Sequence, residues 1–473
     1  MPRLFFGWWI LSAAVSINAL IAIVYTFGFN AFFVPWREAF GWSRAQLGGV
    51  VGLSRLQGGL VAPLAGWLVD KYGPRTMMLL GLGLLGLGFI ALSRVNSFFM
   101  LLAIFLALLS TGSSLGVNRP IQVTVANWFI RLRGRAMGLL AAGMAGGGSL
   151  VFLFAMVIDK FGWRVGAIVA GLLIWGIGLP LALVFRHRPE DMGLLPDGRR
   201  PDSGRASIGM NAEAEPPPSN SSLQLHPPAE RRPVMPLGIS KILRIMARDR
   251  RPELDVTAWQ AVRTPAFWLM AAGWAMWATA SSVHMVHWAP FLVEELKMDY
   301  VAALSALSFF SIVSLFARLG FGFAADYISI RFLATLVIAT EGLGILLLSQ
   351  ARDVRQLLAF TVVFAIGHGG SLVLWPVLQG HFFGRRAFGT IGGIVQFIQL
   401  PMGIGAPIWV GYLADTVPHG YRWGFGLVGI LILGAALCVS MPRRPFSPLP
   451  TDRPPALFNA LRAHWPFNRN TPR

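Results

Sequence analysis

Apolar residues in this sequence come in blocks of about twenty, separated by short polar segments. A helix rises about 1.5 Å per residue, so a block that long matches the roughly 30 Å hydrocarbon core of a bilayer. The pattern predicts helical spans near 7–34, 46–69, 76–94, 97–126, 136–158 and 163–185. After a long polar interval it predicts six more, near 265–290, 301–325, 332–350, 357–380, 387–413 and 421–441. The expected fold class is an all-α membrane protein: twelve transmembrane helices in two pseudo-symmetric six-helix bundles.

The polar interval divides the chain. A first bundle is expected over 1–185, a cytoplasmic central loop over 186–263, a second bundle over 264–442 and a basic cytoplasmic tail over 443–473. Within the loop, Glu213–Ser222 is rich in Pro, Ser and acidic residues and reads as a flexible linker. Thr257 and Gln260 have capping-box spacing, which predicts a short helix leading into the seventh span. The halves also repeat. Asp70 after the second span matches Asp326 after the eighth, Phe129 matches Phe383 and Asp159 matches Asp415, all at nearly one separation. Duplicated six-helix units place a substrate site between the halves, near the membrane midplane.

Composition agrees with the pattern. Of 473 residues 55% are hydrophobic and only 13% charged, against about a quarter charged in a soluble domain. A net charge of +19 would suit nucleic acid if it lay on one surface. Here the cations gather between spans, in the central loop and in the tail, which is the pattern that keeps segments in the cytoplasm. The reading is a multi-pass plasma (inner) membrane protein with both termini cytoplasmic, acidic lipids at that face, and no nucleic acid. The first apolar run lacks a small-residue cleavage site and is expected to stay as a span. Cys438, in the last span, is the single cysteine and allows no intrachain disulfide. Trp8, Trp9, Trp36, Trp128, Trp163, Trp288 and Trp423 fall near span ends and read as headgroup anchors. The glycine run Gly143–Gly148 follows no strand and has no phosphate-loop lysine, so it serves helix packing. No metal-ligand cluster or catalytic triad is present in the sequence. The expectation is no enzyme, no cofactor, no metal and a monomer.

A charge at the bilayer centre costs roughly 2.5–3.5 kcal/mol, so each one needs a reason. Arg55, Arg119, Arg318 and Glu341 lie well inside spans. Three arginines among four favour an anionic small-molecule substrate, because the guanidinium fork grips a carboxylate with two parallel bonds. Arg119 sits near mid-depth, and its alternative role is to hold a carbonyl freed by Pro120. Arg55, with Gln57 nearby, suits solute access or a helix contact. Glu341 and His368, the latter inside Gly367-His368-Gly369-Gly370-Ser371, are the candidates for proton coupling. His284 and His287 lie nearer the outer end. Tyr25, Asn30 and Gln396 offer neutral hydrogen bonds to a substrate or between helices.

Between the second and third spans the chain reads Gly66-x-x-x-Asp70-Lys71-x-Gly73-x-Arg75, with a degenerate copy in Gly322-x-x-x-Asp326 and Arg331. This resembles the loop motif of the major facilitator superfamily. Asn118-Arg119-Pro120, Trp128-Phe129, Arg133-Gly134-Arg135-Ala136-Met137-Gly138 and the run from Arg188 to Asp197-Gly198 resemble its monocarboxylate and oxalate/formate branch. The resemblance implies alternating access, with the motif residues latching the cytoplasmic side and the fourth helix lining the cavity. It implies that Arg318 holds a substrate carboxylate, although Ser314 stands where monocarboxylate members carry an acidic residue. Gln396 and Gln399 occupy the region where a related oxalate exchanger has a lysine. The expected function is secondary transport of a small organic anion, a mono- or dicarboxylate, by proton coupling or exchange. Two alternatives stay open: an efflux carrier for amphipathic or cationic compounds, and a transporter-like receptor signalling through its linker or tail.

Overall fold

The computed structural model describes residues 5–42, 44–198, 256–298 and 300–442. Among these, nine helices are long and apolar enough to cross a membrane: α1 (Phe6–Thr26), α3 (Pro74–Leu92), α4 (Phe98–Trp128), α5 (Arg133–Phe161), α6 (Trp163–Leu183), α9 (Ile330–Ser349), α10 (Val354–Phe383), α11 (Phe388–Thr416) and α12 (Gly420–Ser440). The set of twelve is completed by α2 (Arg44–Tyr72), α7 (Pro265–Pro290) and α8 (Tyr300–Ala324), of 29, 26 and 25 residues. The linker Glu213–Ser222 and the basic tail lie outside the described residues.

Local chemistry sets where the helices begin. The Ser97 hydroxyl accepts the Met100 N–H at the start of α4, and the Asp353 carboxylate accepts that of Gln356 at the start of α10. The capping box before α7 forms: Gln260 N–H donates to Thr257 Oγ1 at 3.2 Å and Thr257 N–H to Gln260 Oε1 at 2.9 Å. In α4 a widened turn over Ser114–Asn118 runs straight into Arg119-Pro120. Proline has no N–H to close a regular turn, and the wider turn absorbs the mismatch. That break sets the direction in which Arg119 leaves the helix.

Helices α1–α6 pack as one bundle and α7–α12 as the other. Across the seam α2 lies along α11, and α5 lies along α8. The contacts concentrate at the end of the molecule where α1 begins and α12 finishes, called here the terminal face. The first part of α11, Phe388–Ile398, runs against α2, whereas its later part, Leu400–Thr416, packs mainly on α7 and α12. The outer part of α5, Val151–Phe161, packs within its own bundle. The seam is shut at the terminal face and loosens toward the far face.

Large apolar side chains such as Phe99, Phe316 and Ile408 stand on the surface, an arrangement that a bilayer accepts and water does not. The tryptophans divide differently from expectation. Trp9 and Trp423 are exposed, but Trp36, Trp128 and Trp288 are buried and cannot be headgroup anchors. Trp36 is packed among Phe29, Phe32 and Trp163, and the Trp128 indole donates to the Arg186 carbonyl beneath Phe5 and Phe6. Position near a span end does not say which way a ring points. The first residues of the expected central loop also do more than link. The Asp197 carboxylate accepts the N–H groups of Ile130, Arg131 and Leu132 at 3.2, 2.8 and 3.1 Å, clasping the α4–α5 turn.

Candidate substrate site at the seam between the bundles

Two latches close the terminal face. Asp70, at the end of α2, accepts the Gly389 N–H at 3.1 Å, the Thr390 N–H at 2.8 Å and the Thr390 hydroxyl at 2.7 Å. It thereby satisfies the first N–H groups of α11 from the opposite bundle, where the helix dipole also favours a negative charge. Asp326, just past the end of α8, does the same for α5: it accepts the Gly134 N–H at 3.0 Å and pairs with Arg135 Nε at 2.9 Å. Glycines let the helices approach this closely. A Cβ on Gly66 would strike the Gly389 carbonyl, and one on Gly134 would strike that of Gly322. Both sequence motifs, through Gly66, Asp70, Gly322 and Asp326, meet the other bundle.

Above the first latch lies Arg119. Its side chain is buried, and Nη2 donates to the Gly392 carbonyl of α11 at 2.8 Å and to Gln396 Oε1. Among the described residues its Nε finds no partner. The charge of Asp70 acts on it, yet that carboxylate is already engaged by Gly389 and Thr390. Among the described residues, the hydrogen-bond acceptors of this cation between the bundles are neutral. Gln379 of α10 converges on the same place: a Cβ at Gly392 would meet Arg119 Nη1 at 2.7 Å and Gln379 Oε1 at 3.0 Å.

Arg318 bridges the seam elsewhere. From α8 its Nη1 donates to the Ala141 carbonyl of α5 at 3.1 Å, and its buried Nε has no partner among the described residues. Each arginine is thus tied to backbone of the opposite bundle, and no bond links the two.

A model of the Major Facilitator Superfamily matches residues 15–407 of this sequence. The chain belongs to the major facilitator superfamily. It is a multi-pass membrane transporter rather than an enzyme. Monocarboxylate transporter 7 of Homo sapiens is 21% identical over 92% of this transporter and 86% of its own length. Monocarboxylate transporter 12 of Xenopus laevis is 20% identical over 92% and 88%. The proton:xylose symporter XylE, solved with 6-bromo-6-deoxy-D-glucose, superposes with a TM-score of 0.64 at 14% identity, covering 91% of this transporter and 94% of that chain. That likeness shows the fold.

The remaining sequence candidates scatter through this superfamily member. Tyr25 packs on Phe89 and Phe105 inside the first bundle, about fourteen residues of α4, or roughly 20 Å, from Arg119. The Asn30 side chain lies outside the described residues. Arg55 reaches across the seam to the Met285 sulfur of α7 on the far-face side. Lys71 folds over the rings of Trp67 and Tyr72, at 4.6 and 5.0 Å, and takes no part in the latch. Gly73 makes the turn into α3 with φ +84°, and Arg75 stands half-buried on the next turn. Arg331 donates to the Pro442 carbonyl at 2.9 Å, so it fixes the end of α12 and not the seam. Beside the α2–α3 turn, burial and then the Arg188 cation hold the His187 imidazole below its usual pKa, opposed by Asp191 and Glu190.

The proton-coupling candidates, by contrast, come together. Glu341 of α9 and His368 of α10 are joined at 2.8 Å between Oε1 and Nδ1. Two partners escaped the sequence reading: Trp277 Nε1 and Ser371 Oγ both donate to Glu341 Oε2, at 2.8 and 2.6 Å. Thr390 and Arg135 were given no role in it, Arg135 being quoted only within a motif, and Gln379 escaped it as well. The signal for the first two was present, since the first residues of a helix facing a motif aspartate are natural donors.

Proposed function

We infer that this transporter carries a small organic anion, a mono- or dicarboxylate, by alternating access across the plasma membrane, with the terminal face toward the cytoplasm. The observation that carries this reading is Arg119. A buried guanidinium at the seam has a carbonyl and an amide as its partners and one N–H in reserve. A carboxylate replacing Gln396 would supply the missing charge and the two-pronged geometry that arginine favours. Gln379 and Gln396 would complete its hydrogen bonds. Arg318 contributes a second cation on the α5 side of the seam. Similarity to monocarboxylate transporters over nearly the whole chain supports the same substrate class. Proton coupling and anion exchange both fit a site of this kind.

The efflux alternative loses its best residue. Recognition of a cation would call on Glu341, which is 0% exposed and whose two oxygens are already engaged by Trp277, Ser371 and His368.

A thermal-shift panel of carboxylates, sugars, amino acids and lipophilic cations on the purified protein tests the reading. A ligand at ten times its Kd stabilises the fold by about 1.4 kcal/mol. A carboxylate is expected to do so, and Arg119→Gln is expected to weaken its binding roughly ten- to a hundredfold. Stabilisation by lipophilic cations alone would sink the anion assignment.

A further inference from the structure

We propose that Glu341 and His368 form the proton-binding site of this carrier, set inside the second bundle and connected to the anion site along one face of α10. The proposal deepens the anion-transport reading by committing it to proton coupling, and its test separates the two.

The bonding around Glu341 fixes where a proton can sit. The Trp277 indole N–H can only donate, so Oε2 is an acceptor; the Ser371 hydroxyl, at 2.6 Å, donates to the same oxygen. An acidic proton on Glu341 is then confined to Oε1, which faces His368 Nδ1 at 2.8 Å. With a neutral imidazole donating from Nδ1 the pair carries one buried negative charge. Taking up one proton makes it neutral overall, as carboxylate with imidazolium or as carboxylic acid with imidazole. Glu341 has no exposed surface, whereas the His368 side chain is 10% exposed, so the proton enters and leaves through the histidine.

The groups facing the pair offer no other compensation. From α7 comes His284, whose ring lies 6.1 Å from that of His368 amid Trp288, Phe310 and Phe364, with Nδ1 buried and unpartnered. From α8 comes Ser314 against Gly369, and one turn on, Arg318, whose guanidinium is directed to α5. Helix α12 meets α9 through Gly429 and Leu433, neither of which titrates. Among the described residues, His368 is thus the one titratable group bonded to Glu341.

The connection to the anion site is a stripe. His368, Ser371, Trp375 and Gln379 follow one another at intervals of three or four residues and share one face of α10. Trp277, which donates to Glu341, stacks on His368 and touches Trp375 at 6.3 Å; Trp375 in turn stacks on Trp274 at 5.0 Å. Gln379 ends the stripe at Gly392, beside Arg119. Eleven residues of helix separate the two ends, about 16 Å. Loss of the proton changes the charge on the group that accepts the Trp277 indole N–H, and the packed rings carry that change toward Arg119.

Two measurements on the full-length protein decide the matter. Infrared difference spectra across a pH titration, without any anion, should include, among those of the 21 acidic residues, a carboxyl transition that disappears in Glu341→Gln, shifts in His368→Gln and persists in Arg119→Gln. In proteoliposomes with radiolabelled lactate as probe, an inward gradient of one pH unit should drive about tenfold accumulation by a one-proton symporter. That response should fall to about onefold in Glu341→Gln and His368→Gln. The infrared transition persisting in Glu341→Gln, or the gradient response surviving in both variants, would overturn the proposal. The transition appearing as expected while no carboxylate binds or moves would uphold the proton site and reject the anion reading.

Discussion

On one side of the seam Asp70 receives two N–H groups and a threonine hydroxyl from the start of α11. On the other, Asp326 receives one N–H from the start of α5 and the guanidinium of Arg135, which also lies over the rings of Phe323 and Tyr327. The scaffolds are the same: an aspartate at the end of one helix, a glycine a turn earlier, and the bare N-terminus of a helix from the other bundle. The side-chain donor differs. In one latch it is neutral, in the other charged, so the shared requirement is the helix terminus and not a basic residue. The motif cations support this, since Lys71 and Arg331 both bond away from the seam.

The comparison can be broken at its common part or sharpened at its differences. The largest effect is expected from Gly66→Leu, because its Cβ meets the main-chain carbonyl of Gly389, which cannot rotate aside. Overpacking of that kind costs about 3 kcal/mol, roughly a hundredfold against the closed face. Spin labels at Tyr72 and Arg386 should report a longer distance across the seam; an unchanged distance would remove the close-approach argument. Next come the aspartates. Asp326→Asn leaves the Arg135 guanidinium without its ionic partner and should destabilise closure by about 2 kcal/mol, reduced from the fully buried case because Arg135 is 25% exposed. Asp70→Asn keeps one acceptor oxygen and should cost about 1 kcal/mol. Equal shifts of the two label distributions would mean that the guanidinium adds nothing. The smallest effect belongs to Lys71→Ala, within about 0.5 kcal/mol for an exposed cation over rings. A response as large as that of Asp70→Asn would restore the lysine to the latch.

Much of the fold was legible because hydrophobic block length is a one-dimensional signal that the bilayer enforces. The spans were placed within a few residues at most ends, and the recurrence of Asp70 as Asp326 gave the two halves. The seam glycines and aspartates were legible too, since their spacing is local. What stayed hidden depends on helix rotation and on which helices are neighbours. Glu341 and His368 were each singled out, but nothing in either segment says that α9 and α10 touch there. Gly367 is the physical reason that they do: any side chain at that position would collide with the Glu341 backbone, so its absence brings the adjacent histidine within reach. Burial of Trp36 and Trp128 was missed for a related cause, as span ends hold both lipid-facing and core rings. Tyr25 was placed correctly on its helix and still lies far from Arg119 along the membrane normal.

The glycine contacts at the terminal face have a consequence for speed. Interdigitated side chains must change rotamer as two helices part, and each such step raises the barrier to separation. Where α2 meets α11 and α5 meets α8, main chain rests on main chain at Gly66–Gly389 and Gly134–Gly322, with no knobs to withdraw. Opening there requires exchanging a few hydrogen bonds with water and little repacking. The latches can therefore set how often the face is shut while leaving the rate of shutting fast.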